Sequence, residues 1–403
     1  MTPPTGPRRS AVAFIFVTVL LDMMALGLVI PVLPRLVMGF EGGDAQAAAE
    51  IYGVMVTLWA FMQFLFSPLI GALSDRFGRR PVVLVSNFGL GLDYILMALA
   101  PSLAWLFVGR ALSGITSANI STAHAYIADL TPPEKRAGLF GYLGVAFGIG
   151  FILGPALGGI LGAEDPRLPF WFASGLSLAN ACYGFFVLPE SLPAERRAPF
   201  RWARANPLSS FGMLRTHAHL LGLSAVLFLQ SLAHIVLPSA FVLYVSYRYG
   251  WDERTIGFTL AAVGLGAMIV QGTLIKPAVA RFGERRTLLA GLGAGSLGFL
   301  IYALAPVPML FWMGVPIMAF WGMASPALQS LMTGKVAPNE QGRLQGSNAS
   351  LMGVGSMLGP ILFTQAFAYF IGPASPFALP GAPFLLAAAL LATAGAIAYR
   401  HAR

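Results

Sequence analysis

Three charged residues stand inside long apolar runs: Asp22, Asp93 and Arg110. A charge at the centre of a bilayer costs about 2.5–3.5 kcal/mol on insertion scales, so each needs a partner or a task. Asp22 and Asp93 each fall near the middle of their run. A desolvated carboxylate at that depth can hold either a proton or a cationic compound, which is the exchange that proton-coupled transport requires. Arg110 keeps its charge and cannot itself carry the proton. It can alter the proton affinity of a carboxylate beside it, and so set when that proton leaves. The three residues therefore read as a proton-coupling set. The plainer reading of the two acids is structural pairing between helices, and that of Arg110 is snorkelling to the surface.

The elements that must hold these charges follow from composition. The 403 residues are 57% hydrophobic and only 10% charged, with mean hydropathy +0.74. A globular domain carries about 25% charged residues. A spanning helix needs roughly 20 apolar residues, and the apolar runs lie near 11–36, 48–70, 81–100, 103–129, 137–162, 169–188, 218–246, 255–277, 286–305, 307–334, 343–371 and 382–399. The runs do not alternate apolar and polar residues, which excludes a membrane β-barrel. Twelve transmembrane helices result. The first run is too long for a signal-peptide core and reads as a retained span. The single cysteine, Cys182, rules out a disulfide within the chain, and its apolar run makes it a core residue.

Of the 25 Lys and Arg residues, only Arg35, Arg167, Arg248 and Arg254 fall in one set of loops. Apart from Arg110, the rest fall in the other set or at the termini. That bias puts both termini in the cytoplasm of a multi-pass protein of the cell inner membrane. It also explains the net charge of +9 without nucleic acid. A repeat shapes the chain further. Arg76-Phe77-Gly78 recurs as Arg281-Phe282-Gly283, and Gly148, Gly150, Leu153, Gly154 and Pro155 recur as Gly353, Gly355, Leu358, Gly359 and Pro360. Each pair is offset by the same interval. The expected organisation is a six-helix half over 1–188, a cytoplasmic linker over 189–217 and a second six-helix half over 218–403. Parallel six-span repeats describe a transporter architecture in which one half rocks against the other.

The loop after the second run reads Gly71-Ala-Leu-Ser-Asp75-Arg76-Phe-Gly78-Arg79-Arg80-Pro81. It resembles, at every specified position, the G-x-L-x-D-R-x-G-R-R-P signature of the major facilitator superfamily. The first run (Leu21-Asp22, Gly27, Pro31, Pro34), the fourth (Gly109-Arg110, Gly114) and the fifth (Gly144, Gly148, Gly154-Pro155, Gly158-Gly159) are similar to the twelve-span drug:proton antiporters. Leu92-Asp93-Tyr94 and the segment ending at Asp129 most resemble the tetracycline-efflux family. The resemblance covers nearly the whole chain. It implies an all-α membrane fold of two pseudo-symmetric halves, and it favours the proton-relay role for Arg110. One departure is the ninth run, Thr287 to Ala305, which has no acid where that family has one.

Other residues take roles around this frame. Asp75 gains nothing as a topological signal, and with Gly71, Arg76 and Gly78 it reads as a conformational latch that can cap a helix N-terminus across the two halves. Asp129 can pair with the arginines of this loop. Gly144, Gly148, Gly154 and Gly158 let helices approach closely. Pro155 adds a bend, which makes a packed but bendable seam. Tyr94, Asn119, Tyr126, Gln230, His234, Tyr244, Trp321, Gln329 and Asn348 are the expected walls of a mostly apolar substrate cavity. No phosphate-binding loop occurs, so ATP does not supply the energy. The expectation is a monomeric secondary transporter, not an enzyme, without cofactor or metal, whose partners are a small molecule, protons and the bilayer. It would export an amphipathic, tetracycline-like drug by proton antiport. The alternative is a proton-coupled or facilitative carrier of a lipid, nutrient or metabolite.

Overall fold

The computed structural model describes residues 9–117, 119–131, 133–200, 220–337 and 340–402. In these apolar segments the backbone polar groups can be satisfied only within a helix, and the described residues are helical almost throughout. The helices are α1 (Arg9–Val29), α2 (Leu33–Phe40), α3 (Ala45–Phe77), α4 (Arg79–Leu99), α5 (Leu103–Thr116), α6 (Asn119–Leu130), α7 (Pro133–Glu164) and α8 (Leu168–Val187). There follow α9 (Leu221–His234), α10 (Val236–Tyr249), α11 (Glu253–Thr273), α12 (Ile275–Leu304), α13 (Pro308–Ala319), α14 (Ala324–Thr333), α15 (Gln341–Ile371) and α16 (Ala382–His401). Among the described residues, 11 helical stretches are long and apolar enough to cross a membrane, counting α1–α2, α9–α10 and α13–α14 each as one; α5 is a shorter apolar helix. The 189–217 linker lies largely outside the described residues.

Helix ends repeat along the chain. Gly78 and Gly283 both hold positive φ, at 105° and 79°. Each precedes an apolar helical run, ending at Leu99 and at Leu304 respectively. Pro155 and Pro360 both sit inside long helices, α7 and α15.

Contacts divide the chain into two compact units. The first contains the described residues of Met1–Leu33, Leu58–Pro207 and Glu253–Phe258. In it α1 packs on α7 and α8, and α4 on α8 and α5. Its core joins Phe14, Ile15, Val19 and Met23 of α1 to Val83, Tyr126, Ile127, Leu143 and Leu188. The second unit contains the described residues of Pro34–Thr57, Leu208–Asp252 and Thr259–Arg403. There α16 packs on α12 and α9, and α15 on α9 and α10. An aromatic core fills it: Tyr302 stacks on Phe311 with centroids 4.0 Å apart, and Tyr244 meets Phe384 edge-on at 4.9 Å. Cys182 departs from expectation. It is exposed on α8, because its neighbours Ala181 and Gly184 supply the face that packs inward.

Candidate functional site

The intramembrane charges of the first unit converge. Asp22 of α1 is buried at 9% exposure, Asp93 of α4 at 2% and Arg110 of α5 at 5%. Tyr94, also buried, feels the charges of all three. Asn180 of α8 donates from Nδ2 to Asp22 Oδ1 at 3.3 Å and accepts from Thr18 Oγ1 at 3.1 Å. Asp93 lies against α5 where Gly109 leaves room: a Cβ on Gly109 would stand 3.1 Å from Asp93 Oδ1. Neither Asp93 oxygen makes a hydrogen bond of normal geometry among the described residues. Its polar neighbours are Ser113 and the Arg110 charge. The guanidinium of Arg110 sits 5.1 Å from the Trp59 ring, within cation–π range. Arg110 thus turns inward beside an acid. A carboxylate held between a desolvating wall and a permanent cation changes its proton affinity whenever their separation changes.

A second network joins the α3–α4 turn to the chain after α8. Arg79 is its hub. Its Nη1 meets Asp75 Oδ1 at 2.6 Å and Ser74 Oγ at 2.9 Å, and its Nε meets Asp129 Oδ2 at 3.0 Å. Ser191 Oγ also donates to Asp129, at 3.2 Å. Glu190 caps the start of α4: its oxygens accept from Arg79 N at 2.9 Å and Arg80 N at 3.3 Å, and from Leu192 N at 3.0 Å. Gly78 is required there twice over. Its φ of 105° suits only glycine, and a Cβ would stand 2.2 Å from Glu190 Oε2. Of the expected latch residues, Asp75 and Asp129 therefore meet on one guanidinium within this unit. Arg76 is exposed and rests 5.1 Å over Phe77. Gly71 has open space around it.

The glycines of α7 face α1. Cβ atoms on Gly150, Gly154 and Gly158 would meet Leu20 O at 2.7 Å, Met24 O at 2.7 Å and Leu28 O at 2.3 Å. Pro155 touches Gly27. Gly144 has nothing within 4 Å and does not join this seam. Gly148 lies on the same helix.

The expected cavity residues separate into two groups. Tyr126 and Tyr244 are fully buried, and their hydroxyls donate to backbone carbonyls, Pro189 O at 2.8 Å and Tyr302 O at 2.6 Å. They are packing residues in this geometry. Asn119 opens α6, and its side chain lies outside the described residues. In the second unit, by contrast, Gln230, Gln329, Asn348, His234 and Trp321 form one connected strip. Gln230 Nε2 donates to Ser325 Oγ at 2.6 Å, and Asn348 Nδ2 to Gln329 Oε1 at 3.4 Å. The rings of His234 and Trp321 lie 5.6 Å apart.

The family model described as Major Facilitator Superfamily matches residues 15–276 and 223–397. The chain belongs to this superfamily. Within it, the chain is 40% identical over 363 residues to the class C tetracycline resistance protein of Escherichia coli, covering 89% of this chain and 90% of that one. It is 39% identical over 372 residues to the class G protein of Vibrio anguillarum, covering 90% and 92%. These matches place it in the family of tetracycline resistance proteins. Among solved structures it is similar to the human organic anion transporter MFSD10, at TM-score 0.73 and 25% identity, covering 98% of this chain and 100% of that one. The chain is accordingly a multi-pass transporter of the major facilitator superfamily.

Sequence reasoning missed two members of the superfamily signature network. Arg79 reads as a topological charge but is buried and makes three polar side-chain contacts. Glu190 reads as linker, though an acid between Pro189 and Ser191 beside a basic loop was a usable signal. Asn180, the partner of Asp22, carried no distinguishing spacing at all.

Proposed function

We propose that this transporter exports a small amphipathic compound of the tetracycline-like class in exchange for protons. The observation that carries the reading is the convergence of Asp22, Asp93 and Arg110 around Tyr94. An antiporter needs an acid whose proton affinity depends on conformation, and Asp93 with Arg110 beside it supplies one. Asp22, held by Asn180, is the second proton-coupling acid. Asp75, Arg79 and Asp129 act as the conformational latch together with Arg76, Gly71 and Gly78. The strip from Gln230 to Asn348, with Tyr94, lines the path of the compound. The fold is twelve transmembrane helices in two pseudo-symmetric halves, 1–188 and 218–403, joined by a cytoplasmic linker. The constant offset of the repeated motifs supports this, as do the matched positive-φ glycines Gly78 and Gly283. Both termini face the cytoplasm of the inner membrane, and the working unit is a monomer. No covalent change to the compound is involved.

The test is uptake of tetracycline into everted membrane vesicles under an imposed pH gradient. The reading requires gradient-driven accumulation that collapses when a protonophore is added. Equal uptake with and without the gradient would instead fit facilitated diffusion and remove the proton from the mechanism.

A further inference from the structure

A single amide from α8 serves two polar groups of α1. Thr18 and Asp22 stand one helical turn apart, on the same face of α1. Asn180 of α8 reaches both. Its Oδ1 accepts from Thr18 Oγ1 at 3.1 Å, and its Nδ2 donates to Asp22 Oδ1 at 3.3 Å. All three side chains are buried, Asn180 completely. Nδ2 also lies 3.5 Å from the Thr18 carbonyl oxygen, which can only accept. That contact fixes the orientation of the amide. Turned over, Asn180 Oδ1 would stand against the Thr18 carbonyl, acceptor against acceptor, and an oxygen instead of an N–H would face Asp22.

The helices packed on α1 bring little else that is charged to this level. α8 carries no charged residue, and neither does the stretch of α7 from Gly150 to Gly158 that lies against α1. On α6, Tyr126 is engaged with Pro189 and Asp129 with Arg79. The charged and titratable groups that share the surroundings of Asp22 are Asp93 and Tyr94 of α4 and Arg110 of α5.

A donor fixed on Oδ1 divides the roles of the two carboxyl oxygens. The amide N–H stays bonded in both the ionised and the protonated acid when the proton sits on Oδ2. A proton on Oδ1 would turn that atom into a hydroxyl oxygen, a poorer acceptor than a carbonyl, and would crowd the amide hydrogen. Resting on the reading of Asp22 as a proton-coupling acid, we propose that Thr18 and Asn180 are positioning residues that assign the Asp22 proton to Oδ2. Thr18 holds the amide, and the amide holds Oδ1 as the carbonyl oxygen of the protonated acid. The proton arrives and leaves at one defined oxygen, and the amide keeps one orientation while the acid is loaded and emptied.

Infrared difference spectroscopy tests this on the full chain in lipid membranes. Acidification brings up the carbonyl stretch of each carboxyl that takes a proton, and the part lost with Asp22→Asn in a given background belongs to Asp22. A carbonyl oxygen that accepts a hydrogen bond absorbs at lower frequency than one that does not. The wild-type Asp22 band should lie at the hydrogen-bonded position. Asn180→Leu removes the donor, and Thr18→Val removes the hydroxyl that orients it; each should move the band to higher frequency. Thr18→Ser keeps a hydroxyl and should leave the band at the wild-type position. A merely structural pair would alter stability without moving the band. A band unmoved in both Asn180→Leu and Thr18→Val overturns the proposal and leaves antiport intact, as does a wild-type band already at the free-carbonyl position. If Asp22→Asn removes no band from the wild type, Asp22 takes up no proton; its proton-coupling role then falls, and this assignment with it. Thr18→Val, a change of similar size on the other helix, guards against a failure of Asn180→Leu to fold.

Discussion

Gly78 and Gly283 offer a matched pair of substitutions that separates backbone strain from the loss of a helix cap. Both hold φ and ψ that L-residues rarely adopt, at 105° and 160° for Gly78 and at 79° and 164° for Gly283. Forcing alanine into such a conformation costs about 1–3 kcal/mol. At Gly283 nothing lies within 4 Å of the added Cβ, so strain is the whole cost. At Gly78 the Cβ also drives Glu190 Oε2 away, and with it the hydrogen bonds to Arg79 N and Arg80 N. Losing a helix N-cap costs about 0.5–2 kcal/mol. Gly78→Ala should therefore be less stable than Gly283→Ala by about 1 kcal/mol. Reversible unfolding in mixed detergent–lipid micelles, followed by circular dichroism, measures both. Adding Glu190→Ala to Gly78→Ala should cost less than the sum of the single changes, because the cap is lost only once. Equal destabilisation by the two glycine changes, or strict additivity in the double variant, would refute the cap.

Arg79→Ala breaks the bridge between Asp75 and Asp129 and should destabilise by about 1–2 kcal/mol, less than for a fully buried pair because the Asp75 and Asp129 side chains keep 44% and 21% of their exposure. Arg76→Ala touches only an exposed stacking contact and should change stability by less than about 0.5 kcal/mol in the same unfolding assay. On α7, Gly158→Ala pushes a Cβ onto Leu28 O and should cost about 1–3 kcal/mol. Gly144→Ala meets open space and should be neutral or stabilise by up to about 1 kcal/mol, the helix-propensity difference. A thermal-melt ranking that reverses these two would contradict the α1–α7 seam.

What the sequence made legible was whatever the bilayer constrains strongly. Buried charge is rare enough that Asp22, Asp93 and Arg110 announced themselves, and the structure gathers all three about Tyr94. Close-packed glycines were legible for a similar reason, since Gly154 and Gly158 leave room for a helix backbone; spacing alone did not show that Gly144 faces open space. Tyrosines were ambiguous. Tyr126 and Tyr244 could have lined a cavity, but each hydroxyl found a backbone carbonyl, a choice fixed by packing and not by pattern. Glu190 and Asn180 were hidden because their partners, the start of α4 and Asp22, are 111 and 158 residues away. No local periodicity encodes a pairing of that span.

The central claim is that proton movement and compound movement pass through the same buried acids. Proteoliposomes loaded with a pH-sensitive dye measure it directly, by the proton flux that tetracycline addition elicits. Wild-type protein should show a compound-dependent flux. Asp93→Asn and Asp22→Asn, which preserve shape but remove the titratable group, should abolish that flux while still binding the compound. Wild-type flux in both variants would contradict the account.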